Sequence, residues 1–175
     1  ILTNDSEYDS SITERAVFYF AKLALKEGDI NKMNNFIASY KESSRIGDAY
    51  NQLAYYYKTN KDTLLEVNTL KKMLDEFPDS PSLLNRYAWR MTEVNKELND
   101  ALEKINTGLS LTEKTDSSYP ALLDTKAEVL WKMDLFDEAI KVIDEAINID
   151  KDSEYYNKQK KKFQESKSKI KVNSI

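Results

Sequence analysis

The feature that most constrains this chain is an alanine that recurs at nearly constant spacing. Ala21, Ala54, Ala88 and Ala127 are separated by 33, 34 and 39 residues. Each lies within apolar residues at three- and four-residue steps, the pattern of an amphipathic helix. A small side chain is needed where two helices cross closely, so this recurrence predicts stacked helical hairpins.

The composition agrees with helices joined by short turns and argues against an enzyme. The 175 residues include only 3 Gly and 3 Pro, with no Cys and no His. The chain therefore lacks thiolate chemistry, disulfides, and the side chain that most often serves as metal ligand or general base. Adjacent acidic pairs such as Asp137-Glu138 diverge by about 100° on a helix and do not converge on one substrate atom. We predict no catalysis, no cofactor and no metal.

Residues typical of helix starts support the hairpin pattern. Ser11-Ile-Thr-Glu14 and Thr63-Leu-Leu-Glu66 have the form of capping boxes at helix starts. Ser80-Pro81 and Tyr119-Pro120 place proline in a first helical turn, where its missing N–H costs nothing. Asp152-Ser153 predicts the start of a ninth helix, over about residues 154–170.

The segment from Pro120 to Ser153 resembles a tetratricopeptide repeat (TPR). The residues that carry the resemblance are Ala127, Phe136, Ala139, Ala146 and Asp150, while Asp134 stands where the inter-helix glycine is usual. The resemblance implies an all-α fold, a right-handed superhelix of about four TPR-like hairpins with a C-terminal capping helix.

The spacing divides the chain into segments. We predict an N-terminal lead-in over residues 1–13 and a capping helix with a Lys-rich tail over residues 154–175. Between them we predict four repeats, over about residues 14–46, 47–80, 81–115 and 120–153. The longer last interval is explained by one extra residue in the third hairpin loop and four before the fourth repeat.

The resemblance also implies a binding surface, because the first helix of each TPR-like hairpin lines the concave side. The predicted partner-binding residues are Phe18, Lys22, Asn51, Tyr55, Asn85, Trp89, Asp124, Glu128 and Trp131. Large aromatic side chains among amides and charges suit an extended peptide or a partner helix. For Trp89 and Trp131 the alternative is a place in the core between neighbouring helices.

Charge and hydropathy limit the class of partner. The net charge is −4, from 26 Lys and Arg against 30 Asp and Glu, which argues against nucleic acid. Residues 158–175 hold seven lysines and one glutamate, so an acidic body ends in a basic tail. No apolar run reaches the 18 residues or so of a membrane span. A protein or peptide partner is predicted, and the oligomeric state is left open.

Two functions remain open at this stage. The leading prediction is a non-catalytic scaffold for protein–protein interaction. A weaker resemblance, carried by Asn85-Arg-Tyr-Ala-Trp89 and Leu123-Asp-Thr-Lys-Ala127, is to helical repeats that follow thioredoxin-like domains in exported bacterial proteins. It implies a bacterial accessory domain of a redox protein whose catalytic part lies upstream. Because the first residue is Ile1 and not Met, we expect that something upstream has been removed, and a signal peptide, a neighbouring domain and an artificial boundary all stay open. The compartment, cytoplasmic or exported and periplasmic, stays open.

Overall fold

A computed structural model describes the backbone of residues 3–173 and the side chains of residues 11–169. Over that backbone the chain forms nine helices and no strand: α1 (Thr3–Lys26), α2 (Ile30–Ser39), α3 (Ile46–Thr59), α4 (Thr63–Glu76), α5 (Pro81–Val94), α6 (Leu98–Ser110), α7 (Tyr119–Lys132), α8 (Phe136–Ile149) and α9 (Glu154–Asn173). The all-α prediction is confirmed. The right-handed winding of the superhelix stays a prediction. No described helix has the length and hydropathy needed to cross a bilayer.

The helices form two compact units, residues 1–76 and residues 77–175. In the first unit α1 packs on α2 and α3 packs on α4, while α3 also contacts both helices of the preceding hairpin. In the second unit α5 packs on α6 and α7 on α8, and α7 contacts both preceding helices. Helix α9 packs on α8 and covers the end of this unit.

The recurring alanine lies in the buried core of each hairpin, as the spacing predicts. Ala21, Ala54, Ala88 and Ala127 are all buried, and the last two have no exposed surface. Around Ala127 the core includes Leu123, Leu130 and Ile143 from the same hairpin and Phe163 from α9. Each hairpin is therefore closed around a small residue on its first helix.

A second feature recurs with the same spacing. A residue with a positive φ follows each recurring alanine by seven positions. These residues are Gly28, Lys61, Asn95 and Asp134, with φ of 92°, 60°, 52° and 61°. The left-handed residue turns the chain from the first helix into the second. Asp134 thus adopts the backbone conformation for which glycine is usual, at a cost that glycine would not incur.

The 39-residue interval between Ala88 and Ala127, which is longer than the other two, has the predicted origin. One residue lies between Lys61 and the start of α4 at Thr63, whereas two lie between Asn95 and the start of α6 at Leu98. The segment between α6 and α7 has eight residues, 111–118, against the four residues, 77–80, between α4 and α5. One added residue and four added residues account for the excess.

Two of the predicted helix starts are capped as expected. The Ser80 hydroxyl accepts a hydrogen bond from the backbone N–H of Leu83, at 3.4 Å. The Ser153 hydroxyl accepts one from the N–H of Tyr156 at the same distance. The capping helix α9 extends to Asn173, a turn further than predicted.

The two capping boxes are wrong in detail. Ser11 lies inside α1, which already begins at Thr3, so most of the predicted lead-in is helical. At α4 the cap is Asp62, whose carboxylate accepts from the N–H of Leu65 at 3.0 Å, and Thr63 is the first helical residue. An aspartate one residue upstream thus takes the N-cap role predicted for the threonine, and it accepts from Leu65 instead of from Glu66. The bounds of the four repeats stay a proposal.

The crossing at Ala127 generates a stability prediction. We expect Ala127→Leu to lower the free energy of unfolding by about 1–3 kcal/mol, because the larger side chain forces packed helices apart. Ala121→Leu, at an exposed position of the same helix, is the matched control and should change it by less than about 0.5 kcal/mol. Urea denaturation of both variants measures the difference, and equal effects would contradict the close crossing.

The left-handed turns generate a second prediction. We expect Lys61→Gly to raise the free energy of unfolding by about 0.5–1 kcal/mol, because relief of the left-handed strain exceeds the extra entropy of glycine in the unfolded chain. Lys72→Gly, at an exposed position within α4, should lower it by a similar amount. Denaturation curves of the two variants, each compared with the unchanged protein, measure these opposite changes in the free energy of unfolding.

Candidate functional site

The nine predicted partner-binding residues occupy repeated places on the first helices. By the alanine spacing, the first set of equivalent places holds Phe18, Asn51, Asn85 and Asp124, the second set holds Lys22, Tyr55, Trp89 and Glu128, and Trp131 follows the last of these. The two sets lie one helical turn apart on one face of each helix. The structure gives these places different surroundings in different hairpins, so each unit is described separately.

In the first unit Phe18 belongs to the core, and its prediction as a groove residue is wrong. Its side chain is buried, and its ring centroid lies 5.3 Å from that of Phe36 on α2. The Arg45 guanidinium, just before α3, lies 6.0 Å from the centroid of the same ring. Arg45 also faces Glu14, at 3.9 Å between Nε and Oε1. The start of the next hairpin covers this position, which is why it does not face solvent.

The other three places in the first unit are accessible. Tyr55 is 68% exposed, the most open of the predicted aromatics. Asn51 and Lys22 are half-buried. An exposed tyrosine one turn from an amide offers contact area together with a donor and acceptor for a peptide backbone.

In the second unit α9 covers Asp124 and Glu128, so the prediction that they face an open groove is wrong. Both carboxylates are buried. The Tyr155 hydroxyl donates to Asp124 at 3.1 Å, and the Gln159 amide donates to Asp124 at 3.3 Å and to Glu128 at 3.4 Å. Lys162 completes the set with an ion pair to Glu128. A helix of the chain itself thus occupies the face that sequence reasoning assigned to a partner.

Trp131 packs against the same helix. Its indole N–H donates to the Ser166 hydroxyl at 2.9 Å, and its ring centroid lies 6.0 Å from that of Phe163. The Lys162 ammonium lies 4.3 Å from the Trp131 ring centroid, within the range of a cation–π contact. Trp131 therefore belongs to the contact between the last hairpin and α9 rather than to an open surface.

Asn85 and Trp89 on α5 are half-buried. The Oδ1 atom of Asn85 is buried without a hydrogen-bond partner among the described residues. A buried acceptor without a donor costs folding free energy. Sequence reasoning placed both residues on one helical face, and the structure leaves that face partly accessible.

Burial raises the pKa of Asp124 to about 6, against the hydrogen bonds from Tyr155 and Gln159, which favour the ionised form. The charge of Glu128 raises the pKa slightly further, and that of Lys162 lowers it. A carboxyl with a raised pKa is often found at catalytic sites. Here the neighbours that meet it are side chains of α9, so it has a structural role.

A groove in the first unit was missed by sequence reasoning. It has a volume of about 750 Å³ and runs between α2 and α4, with α3 as its floor. The floor includes Ile46, Tyr50, Leu53 and Tyr57, and the rim includes lysines and acids of α4. Burial is the main cause that raises the pKa of both tyrosines, so their hydroxyls remain protonated donors. The seven-residue spacing of Tyr50 and Tyr57 is the sequence signal that could have indicated this groove.

The described side chains contain no group of three or more Asp or Glu able to hold a metal ion. The neighbouring acids Asp124 and Glu128 are already bonded to α9.

Asp124 generates a prediction about pH. Because its pKa is raised above the unfolded value near 3.8, the folded protein binds the extra proton and gains stability as the pH falls from 7 through 6. We expect Asp124→Asn to raise the free energy of unfolding at pH 7 by about 2–3 kcal/mol, with the gain vanishing near pH 4. Denaturation curves at pH 7, 6, 5 and 4 measure this.

The control for that experiment is Asp116→Asn. Hydrogen bonds from the Ser118 backbone and hydroxyl lower the pKa of the exposed Asp116, so its carboxylate is favoured in the folded protein. Its replacement should lower stability at pH 7. A stability loss in both variants would contradict the structural role of a strained buried charge at Asp124.

Comparisons with known proteins bear on the fold. No family model matches the chain, and no curated protein matches it. Among solved structures, PilW, described as a widely conserved type IV pilus biogenesis factor, is 14% identical with a TM-score of 0.57, over 87% of this chain and 78% of that one. The TPR-like repeats assigned to a kinesin light chain of Podosopora anserina are also 14% identical, with a TM-score of 0.56 over 90% of this chain and 93% of that one. A variant of the same repeats gives 0.57. At this identity the likeness concerns the fold, and the chain therefore has the fold of TPR-like helical-repeat proteins.

Proposed function

We propose that this chain is a non-catalytic protein-interaction module that binds a partner helix or an extended peptide on the faces of its first helices. The observation that carries the proposal is the packing of α9 on α7. At the last hairpin, a helix already occupies the places of Asp124, Glu128 and Trp131 through Tyr155, Gln159, Lys162 and Ser166. A face that binds one helix has the shape to bind another.

The accessible members of the face support a peptide partner. Tyr55 in the first unit and Trp89 in the second are the aromatic side chains most suited to act as anchors. Asn51 and Asn85 stand one turn away on the same helices, where amides match the donors and acceptors of a peptide backbone.

The non-catalytic part of the proposal rests on the chain's chemistry. The sequence has no Cys and no His, and the buried carboxylates of α7 are bonded to α9. The role as accessory domain of a thioredoxin-like protein stays a prediction.

The proposal is tested by selecting ligands for the whole chain from a displayed library of helical and extended peptides. We expect peptides that bind the first unit to lose about 2 kcal/mol of binding free energy, roughly a 30-fold rise in Kd, on Tyr55→Ala, and peptides that bind the second unit to lose as much on Trp89→Ala. Tyr55→Ala should leave the melting temperature unchanged, because the side chain is largely exposed.

The matched control is Leu64→Ala, since Leu64 is 71% exposed on α4, a second helix. It should leave affinity unchanged. Binding that is insensitive to both aromatic substitutions, or lost equally in the control, would contradict the assignment of the first-helix faces.

A further inference from the structure

The groove between α2 and α4 is a surface of the first unit that is separate from the first-helix faces. Its floor is a stripe of α3 formed by Ile46, Tyr50, Leu53 and Tyr57, whose places fall within a sector of about 60° of the helix. The stripe lies on the side of α3 away from the exposed Tyr55. The groove volume of about 750 Å³ is typical of a ligand site. A ligand bound here leaves the first-helix face of α3 uncovered.

The floor of the groove offers hydrogen-bond donors. Tyr50 and Tyr57 line it with side chains that are otherwise buried, and within the described part of the chain neither hydroxyl has a hydrogen-bond partner. Burial, followed by the charges of Glu76 and Asp75, raises the pKa of Tyr50, and burial followed by the charge of Asp62 raises that of Tyr57. Both hydroxyls therefore keep their protons and suit a ligand that presents acceptors to the floor.

The spacing of the two tyrosines fits one backbone conformation of a peptide. Seven residues of an α-helix advance by about 10.5 Å. In a polyproline II helix, carbonyls three residues apart point to the same side and lie about 9.3 Å apart, a difference that two long side chains take up. Carbonyls three residues apart in a β-strand point to opposite sides, and those of an α-helix are bonded within the helix. Two donors at this spacing therefore favour polyproline II.

The walls of the groove favour an uncharged and partly apolar occupant. Ile37 and Ala38 of α2 and Leu65 of α4 add apolar surface, and Asn34 and Asn68 add one amide on each wall. The lysines and acids at the rim carry both signs of charge, so the rim does not select a strongly charged ligand. Proline brings an apolar ring and a carbonyl without an N–H, and proline-rich segments dock in grooves lined by aromatic side chains.

We propose that this groove binds a proline-rich segment of a partner protein in the polyproline II conformation. Two carbonyls three residues apart accept hydrogen bonds from Tyr50 and Tyr57, and the proline rings between them pack on Leu53 and on the tyrosine rings. From Ile46 to Tyr57 the floor is about 16 Å long, which accommodates about five residues of polyproline II. The site does not depend on the function proposed for the first-helix faces.

The first test uses fluorescently labelled decaproline, which adopts polyproline II and has no N–H in its interior. We expect saturable binding to the whole chain, measured by fluorescence anisotropy, with a Kd between about 10 and 500 µM. A flexible Gly-Ser peptide of the same length should bind at least about tenfold more weakly. No binding of decaproline up to about 2 mM, or equal binding of the two peptides, overturns the proposal.

The second test removes the donors and keeps the rings. We expect Tyr50→Phe and Tyr57→Phe each to raise the Kd of decaproline by about threefold to tenfold, because each loses one hydrogen bond. Tyr55→Phe is the matched control, the same change on the other side of α3, and should leave the Kd unchanged. Affinity that is unchanged in both groove variants overturns the proposal. A loss in Tyr55→Phe alone places the peptide on the first-helix face and also overturns it.

The third test fills the groove from its wall. Ala38 and Asn35 are both exposed on α2, and of these two Ala38 lines the groove. We expect Ala38→Trp to raise the Kd of decaproline at least about tenfold, because the indole occupies the space of the peptide, and Asn35→Trp to leave it unchanged. Both variants should keep the melting temperature, since both positions are exposed. Equal affinity of the two variants overturns the location of the site.

Discussion

The close crossing of two helices at a small residue is the constraint on which each hairpin depends. Ala88 and Ala127 have no exposed surface, so the opposing helix leaves no room for a larger side chain. Seven residues later the chain turns through a left-handed residue, and the same spacing of 33, 34 and 39 holds for both features. The crossing and the turn together fix how the second helix returns along the first. The remaining surfaces of each hairpin are then free to vary.

That freedom explains why the fold was predictable from the sequence and much of the candidate site was not. The alanine spacing, Ser80, Ser153 and the inserted residues are local signals, and local signals specify helices and turns. The surroundings of Phe18 and Asp124 depend on where the following helix packs. A groove residue and a residue under the next helix lie one turn apart on the same face, and both accept aromatic and charged side chains. Only the three-dimensional arrangement of the helices distinguishes these two kinds of residue.

The two ends of the described chain solve the problem of an exposed repeat surface differently. At the C-terminal end α9 covers the last hairpin with one fully buried aromatic, Phe163, surrounded by hydrogen bonds and ion pairs. At the other end α1 leaves Phe20 and Leu23 in solvent, whereas Leu53 and Val129, at equivalent places by the alanine spacing, are buried. A helical repeat needs a covering at each end because its stacking face is otherwise wet.

The way in which α9 is attached gives the C-terminal end its own response to the medium. Among the described side chains, Lys160, Lys162 and Lys167 pair with Asp144, Glu128 and Asp137, and these ionic contacts join α9 to α7 and α8. Dissolved ions weaken contacts of this kind, most of all the exposed ones, and leave apolar packing largely intact. Rising ionic strength therefore weakens the exposed ion pairs of α9, whereas the buried Phe163 keeps the helix on the last hairpin. The attachment of α9 thus has a part that responds to salt, its exposed ion pairs, and a part that does not, the packing of Phe163.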